Sequence, residues 1–150
     1  MSEQSNNAPA KSARHRAREL ALQGLYQWRI AGSDVAQIEK STRDEKSVGR
    51  YDVEFFCQLL RGAVNQHEAL EAKIAPHLDR ALSELSPIEF SVLLLSAYEL
   101  ANLPEVPYRV VINEGVELAK TFGGSDGHKF VNGVLDKLAA QLRAVEVNAK

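Results

Sequence analysis

The chain has 150 residues, of which 45% are hydrophobic and 25% charged, the composition of an ordinary globular protein with one folding unit. Cys57 is the single cysteine, which excludes an internal disulfide framework and a cysteine zinc cluster. No apolar run reaches the roughly 18 residues that a membrane helix needs, and no signal-peptide pattern opens the chain. We therefore expect a cytoplasmic protein that does not span a membrane.

Positive charge is concentrated near the N-terminus. The formal net charge is −2, yet the first thirty residues hold five basic and two acidic side chains. Most of these basic side chains lie in the segment KSARHRAR, residues 11–18. A short arginine-rich element on an acidic body is typical of a localised polyanion site. A disordered, solubilising N-terminus would have the same composition, so charge alone leaves both interpretations open.

The N-terminal third of the chain predicts a tail followed by helices. Residues 1–10 are small and polar, which indicates a disordered tail ahead of a single helical domain over residues 11–150. Between positions 13 and 28, apolar residues recur at spacings of three and four, as one face of an amphipathic helix requires. Gly32 is expected to end this helix, and Asp34 is expected to cap a short second helix.

A long third helix is predicted in the middle of the chain. Asp52 is placed to cap it, its apolar stripe runs to Ile74, and Pro76 stops or kinks it. His67 falls on that stripe, where we expect a hydrogen-bonded core histidine rather than a ligand. Leucines in residues 78–85 predict a further short helix.

The clearest local pattern follows at Ser86. Ser86, Pro87 and Glu89 fit a capping box with proline at the first helical position. The helix that they begin runs through Leu103 and is apolar almost all round, which predicts a position in the middle of a bundle.

Two more helices complete the prediction. One restarts after Pro107 and ends at Gly123 and Gly124, where a left-handed cap would suit glycine. The last carries apolar residues at helical spacing over residues 131–142. Six or seven helices without strand alternation predict an all-α helical bundle.

Catalytic and metal-binding patterns are weak. Cys57 lies in the middle of a predicted helix, as expected of a core thiol, and the four histidines have no metal-ligand spacing. The segment Gly123-Gly124-Ser125 precedes a helix and could hold an anion, but helix punctuation explains its glycines equally well. We therefore expect no cofactor, no metal and no enzymatic activity.

Three segments resemble the bacterial transcription antitermination factor NusB family. They are RHRARE (residues 14–19) running on to LYQW (residues 25–28), VPYRVVINE (residues 106–114) and HKFVNGVLDK (residues 128–137). The likeness spans residues 11 to about 143 and is weakest over residues 38–50.

This resemblance implies a fold and a function. The family fold is two three-helix bundles packed about a long shared helix. Its members bind the boxA element of ribosomal RNA leader transcripts jointly with the ribosomal protein NusE, and they support read-through of termination signals by RNA polymerase. The resemblance therefore implies a non-catalytic RNA-binding adaptor. The sequence leaves open whether it is a monomer or a homodimer when it is free of RNA.

The resemblance also implies the residues that bind RNA and NusE. The RNA-binding set is Lys11, Arg14, Arg16 and Arg18 near the N-terminus and Asp126, Lys129 and Phe130 near the start of the last helix. The two positions that meet NusE are Tyr26 and Glu89.

Each of these residues also has a structural interpretation. The guanidinium group of arginine donates two parallel hydrogen bonds to a phosphate and also stacks on bases, and an exposed phenylalanine stacks on the bases of single-stranded RNA. Phe130, however, shares helical spacing with core residues, Glu89 closes a capping box, and Tyr26 or Lys129 could be ordinary surface side chains.

Two other classes of protein remain as alternatives. NusB-like domains also occur at the front of RNA cytosine methyltransferases, but a chain that ends at Lys150 leaves no room for a nucleotide-binding domain. The other alternative is a helical adaptor that binds only protein.

Overall fold

The computed structural model describes residues 10–124 and 126–149, with side chains from residue 13 onward. The described residues form eight α-helices and three short 3-10 helices, without a strand, so the predicted all-α class is confirmed. The predicted tail, apart from residue 10, and the side chain of Lys11 lie outside the described part. The helices are α1 (Ala10–Ala31), α2 (Val35–Asp44), α3 (Val53–Asn65), α4 (His67–Ile74), α5 (Pro87–Asn102), α6 (Tyr108–Phe122), α7 (Gly127–Leu142) and α8 (Ala144–Asn148).

The chain divides between Arg61 and Gly62 into two compact units. The first contains α1, α2 and most of α3, so it has three α-helical segments among its described residues, besides the 3-10 helix Lys46–Val48. The second contains the end of α3 and helices α4 to α8, with α5, α6 and α7 packed on one another. A single domain over residues 11–150 stays a prediction.

In the first unit, α1 buries one face and packs on α2. Of the predicted apolar face, the middle positions are buried and the end positions Ala13 and Trp28 are half-buried. The buried ones are Ala17, Leu20, Ala21 and Gly24. Leu22 and Leu25, which the predicted face did not include, are buried as well. The backbone turns at Gly32 with φ +69°, a conformation that glycine adopts without steric cost.

Caps at the two following helices differ. Asp34 occupies the N-cap position of α2, but its side chain makes no capping hydrogen bond, so the expected cap is wrong there. Asp52 does cap α3, because its Oδ1 accepts a hydrogen bond of 3.0 Å from the backbone N–H of Phe55.

The predicted long third helix is in fact two helices. The backbone leaves the helical conformation at Gln66, with φ −106° and ψ 14°, between α3 and α4. The side-chain amides of Gln66 and Asn102 hydrogen-bond each other, a contact between residues distant in sequence that periodicity cannot reveal. His67 consequently begins α4 and is half-buried, with Nδ1 2.8 Å from Glu71 Oε2, rather than lying in the core. Pro76 follows the end of α4, as expected.

The segment before α5 forms turns instead of the predicted α-helix. Residues 78–85 contain only the 3-10 helix Leu82–Glu84, and the connection is otherwise irregular. With α3 divided and α8 added, the described residues hold more α-helices than the six or seven predicted.

Helix α5 is the central helix of the second unit. Its predicted capping box is confirmed, since Ser86 Oγ accepts from the N–H of Glu89 and Glu89 Oε1 accepts from the N–H of Ser86. Every residue from Phe90 to Leu100 is buried, which confirms the prediction of an apolar helix inside the bundle. A Cβ atom at Gly62 would collide with the ring of Tyr98, so the close approach of α3 to α5 requires glycine.

The C-terminal end of α6 differs from the prediction. Gly123 has φ −101° and ψ −173°, an extended conformation, so the expected left-handed cap is wrong. Its amide donates to the carbonyl of Ala119, and an added Cβ would lie 2.7 Å from that oxygen. Glycine is therefore required here by close backbone approach rather than by a positive φ.

Candidate functional site

Arg14 and Arg16 present half-exposed guanidinium groups near the N-terminal end of α1. The Arg14 guanidinium carbon lies 4.1 Å from the centroid of the Phe55 ring, and its Nε is 3.7 Å from Asp52 Oδ2. Arg16 donates from Nε to the carbonyl of Val48 at 2.9 Å and from Nη1 to Glu19 at 2.9 Å. Their side chains keep 41% and 31% of their surface exposed. Both groups are therefore held in place and still reach solvent, as a phosphate-binding pair requires.

Arg18 belongs to the same sequence cluster but not to its exposed surface. It is only 4% exposed, and its guanidinium carbon lies 5.0 Å from the centroid of the Phe55 ring, which Arg14 also contacts. A buried guanidinium cannot reach an RNA phosphate without leaving its packed position. The direct contact expected of Arg18 does not fit its burial, and its guanidinium lies near the same Phe55 ring that Arg14 contacts.

A second candidate patch lies at the start of α7. Asp126 and Lys129 are strongly exposed, with side chains 84% and 75% accessible and an Asp126 Oδ1 to Lys129 Nζ distance of 3.8 Å. Phe130, the next residue, is half-buried, so it is neither a sealed core residue nor a fully exposed platform. Ser125, which precedes this helix in the sequence, lies outside the described residues.

Arg80 is the residue of this patch that sequence reasoning missed. Its guanidinium carbon lies 4.2 Å from the centroid of the Phe130 ring. The neighbouring Asp79 accepts two hydrogen bonds from it, at 2.7 and 3.3 Å, and these bonds hold the pKa of the Asp79 carboxyl below its usual range. Arg80 lies in an irregular connection without periodicity, so no local pattern could have identified it.

The two residues expected to meet a protein partner lie in different units. Tyr26, in the first unit, is 40% exposed, and Ile30, one helical turn further along α1, is 56% exposed. Glu89, in the second unit, is half-buried and uses Oε1 in its capping box. The alternative that Glu89 closes a cap is thus confirmed, and this leaves its second carboxylate oxygen, Oε2, for a further contact.

The remaining candidate for nucleophilic chemistry is Cys57. Its thiol is half-buried, and burial, followed by the charge of the Glu39 carboxylate, raises its pKa. Because the thiolate is the reactive form, such a thiol is a poor nucleophile. Arg61 donates two hydrogen bonds to Glu39, at 2.6 and 2.8 Å, so this buried carboxylate already has its partner.

Neither a metal cluster nor a membrane helix is found in the described part of the chain. Within residues 10–124 and 126–149, no three histidine, cysteine or acidic side chains are grouped as metal ligands. In the same residues, every helix is too short or too polar to cross a bilayer.

Comparison with known proteins identifies close relatives along most of the chain. The model of the NusB family matches residues 15–140. Transcription antitermination protein NusB of Dechloromonas aromatica is 54% identical over 143 residues, which cover 95% of this chain and 88% of that protein. The NusB protein of Nitrosospira multiformis is 59% identical over 133 residues, which cover 89% and 84%.

Solved structures show the same fold. NusB of T. maritima superposes with a TM-score of 0.75 at 29% identity, covering 85% of this chain and 91% of that one. A crystal structure of the antitermination factors NusB and NusE in complex with dsRNA gives a TM-score of 0.77 at 29% identity, covering 85% and 96%.

Proposed function

The chain belongs to the NusB family, and on that premise we propose that it is a transcription antitermination factor that binds boxA-type single-stranded RNA of ribosomal RNA leader transcripts together with the ribosomal protein NusE. The family is one of RNA-binding antitermination factors and not of enzymes. One observation carries the proposal, namely sequence identity above one half, over 133 to 143 residues, with proteins named transcription antitermination protein NusB.

RNA binding is supported by the cations that the fold leaves accessible. Arg14 and Arg16 are anchored by acidic or carbonyl partners and still reach solvent, and Lys129 is largely exposed at the start of α7. Phe130 adds a half-buried ring next to Lys129 for contact with a base. Lys11 and Asp126 complete the proposed set, and Arg18 acts through its position rather than by direct contact.

Binding of NusE is supported by the surfaces at Tyr26 and Glu89. An exposed tyrosine with an exposed isoleucine one turn away is the kind of apolar surface that protein partners bury. The chain beyond residue 30 carries a net negative charge, which suits a basic ribosomal protein and would speed association. Assembly with RNA polymerase in the cytoplasm, and a homodimer in the absence of RNA, belong to the same proposal.

Replacement of Arg14 and Arg16 by glutamine tests the RNA-binding proposal. With Arg14, Arg16 and Lys129 each neutralising one phosphate, the logarithm of the affinity for single-stranded RNA should fall with the logarithm of salt concentration at a slope of roughly −2. The double variant should retain a slope of roughly −0.7 and bind much more weakly at low salt. Fluorescence anisotropy with labelled boxA-type RNA, scrambled RNA and duplex RNA, with and without NusE, measures both quantities.

Arg29 provides the matched control, because it is an exposed arginine on the same helix near its other end. Arg29→Gln should leave the affinity and the salt slope as in the wild type. Unchanged RNA affinity in the double variant would contradict the proposed contacts. Binding of NusE without any binding of RNA would favour the alternative of an adaptor that binds only protein.

A further inference from the structure

The start of α3 contacts the first turns of α1 through Asp52 and Phe55. The backbone N–H of Asp52 donates to the carbonyl of Ala13 at 3.1 Å, and the Asp52 carboxylate lies 3.7 Å from Arg14 Nε. The Phe55 ring lies against the guanidinium of Arg14, with 4.1 Å between the ring centroid and the guanidinium carbon. All four residues belong to the first unit. Three contacts from two residues therefore hold Arg14 and the helical turn that carries it.

The carbonyl of Val48 holds Arg16 in a similar way. Val48 ends the 3-10 helix Lys46–Val48, and its carbonyl accepts a hydrogen bond of 2.9 Å from Arg16 Nε. The next residue, Gly49, has φ +79° and ψ −159°, a conformation that is essentially restricted to glycine. An added Cβ at Gly49 would meet nothing within 4 Å. Glycine is therefore required there by the course of the backbone, which brings Val48 against α1, and not by packing.

The Phe55 ring is buried between residues of α1. Phe55 is 3% exposed, and the guanidinium carbon of Arg18, which is 4% exposed, lies 5.0 Å from the same ring centroid as that of Arg14. Both guanidinium groups are within the distance at which a cation and an aromatic ring attract each other. Stacking uses the face of the Arg14 guanidinium, whereas its N–H donors lie in the plane of the group. Arg14 can therefore stay on the ring while its terminal nitrogens bind a phosphate.

An arginine that is held before RNA arrives loses less freedom when it binds. Ordering a long, flexible side chain at an interface opposes binding, and a group that is already ordered avoids most of that cost. Arg14 and Arg16 are ordered by contacts to residues 48–55, yet 41% and 31% of their side-chain surfaces remain exposed. These contacts therefore favour phosphate binding without covering the surface that binds it.

We propose that Phe55 and Asp52 are positioning residues for RNA binding. They hold Arg14 in its phosphate-binding orientation, as the Val48 carbonyl holds Arg16, and they do so without contacting RNA themselves. This inference rests on the proposed RNA-binding function and adds to it a segment that follows α2 in the chain.

Phe55→Leu tests the proposal, with Phe56→Leu as the matched control. Phe56 is the next residue of α3, is 0% exposed and packs edge-to-face on Tyr51 at 5.6 Å, so both substitutions replace a buried ring of the first unit by leucine. Both variants should melt below the wild type. Well below either melting temperature, Phe55→Leu alone should lower the affinity for labelled boxA-type RNA, by about three- to tenfold. Its salt slope should remain roughly −2, because no charge is removed.

Coupling to Arg14 separates positioning from a purely structural role. In an Arg14→Gln background, Phe55→Leu should have little further effect on the affinity, because the side chain that the ring holds is already gone. An equal loss with and without Arg14 would mean that the ring serves only the fold, and this would overturn the proposal.

Asp52→Asn is a second test that leaves the core intact. The asparagine oxygen can still accept from the N–H of Phe55 and cap α3, so the melting temperature should change little. Removal of a negative charge beside bound RNA would by itself raise the affinity. A lower affinity would therefore show that Asp52 positions Arg14, and a higher affinity would remove Asp52 from the proposal.

The outcomes also separate this inference from the function on which it rests. If the wild type binds no RNA, both fall. If the wild type binds RNA and the Arg14 and Arg16 double variant does not, while Phe55→Leu and Phe56→Leu bind equally well, only the positioning role is refuted.

Discussion

Replacement of Arg143 by methionine should destabilise the protein strongly. Arg143 is 8% exposed and follows α7, and its guanidinium lies at the C-terminal end of α5. It donates to the carbonyl of Leu100 at 2.7 Å, to that of Leu103 at 2.8 Å and to that of Glu99 at 3.2 Å. One arginine thus satisfies three carbonyls at a helix end, where the helix itself supplies too few donors.

The loss of stability follows from the hydrogen bonds that each carbonyl group would lose with Arg143. The carbonyls of Glu99 and Leu103 also accept backbone N–H groups and would keep a partner. Leu100 would not, because the residue four positions later is Pro104, which has no N–H. Loss of hydrogen bonds from a charged donor, together with one buried carbonyl left unpaired, should cost about 3–5 kcal/mol. This cost is a large fraction of the free energy of unfolding of a typical protein, which is about 5–15 kcal/mol.

Thermal and urea unfolding followed by circular dichroism measure the effect. The melting temperature of Arg143→Met should fall by roughly 6–20 °C. Arg143→Lys should be intermediate, because an ammonium group cannot reach three carbonyls as a planar fork does. Arg109→Met, which removes an exposed arginine from α6, is the control and should melt as the wild type does. A fall of less than about 2 °C for Arg143→Met would refute the reasoning.

Two further predictions concern carboxylates. Glu89→Gln should keep the capping box with Ser86 and therefore the melting temperature. Loss of the negative charge should weaken the binding of NusE, measured in a pull-down or by calorimetry. Equal binding by the wild type and Glu89→Gln would remove Glu89 from the proposed interface. The backbone amide of Tyr108, and then the Arg143 guanidinium, hold the pKa of Glu146 below its ordinary value. The contribution of ionised Glu146 to the free energy of unfolding is fully present above the pKa of an unfolded glutamate and is lost as pH falls through the lower folded pKa. Glu146→Gln should therefore flatten the acid side of a profile of stability against pH, measured between about pH 6 and pH 3.

The sequence alone predicted the structural features whose interacting residues lie close together along the chain. Ser86 and Glu89 form their capping box because both partners lie within one helical turn, and Asp52 caps α3 for the same reason. The apolar run of α5 predicted its burial because a helix without a polar face must be covered on all sides. The resemblance to the NusB family was likewise carried by contiguous segments.

Arg18 and Arg16 show what only the tertiary structure decided. Both are arginines of one cluster, two residues apart, yet one is buried at 4% exposure and the other donates to Val48 while remaining half-exposed. Helical rotation places residues two apart on different faces, and which face is covered depends on helices that follow later in the chain.

The surroundings of Phe130 and Gly133 were decided in the same way. The family resemblance and helical spacing singled out Phe130, but the sequence could not show that Arg80 stacks on its ring or that the space at Gly133 is open. A stacking partner some fifty residues away and an empty volume are properties of packing between elements. Most helices and the family are thus determined by local pattern, whereas the helix break at Gln66, the exposure of side chains, their partners and cavities arise only when distant segments pack together.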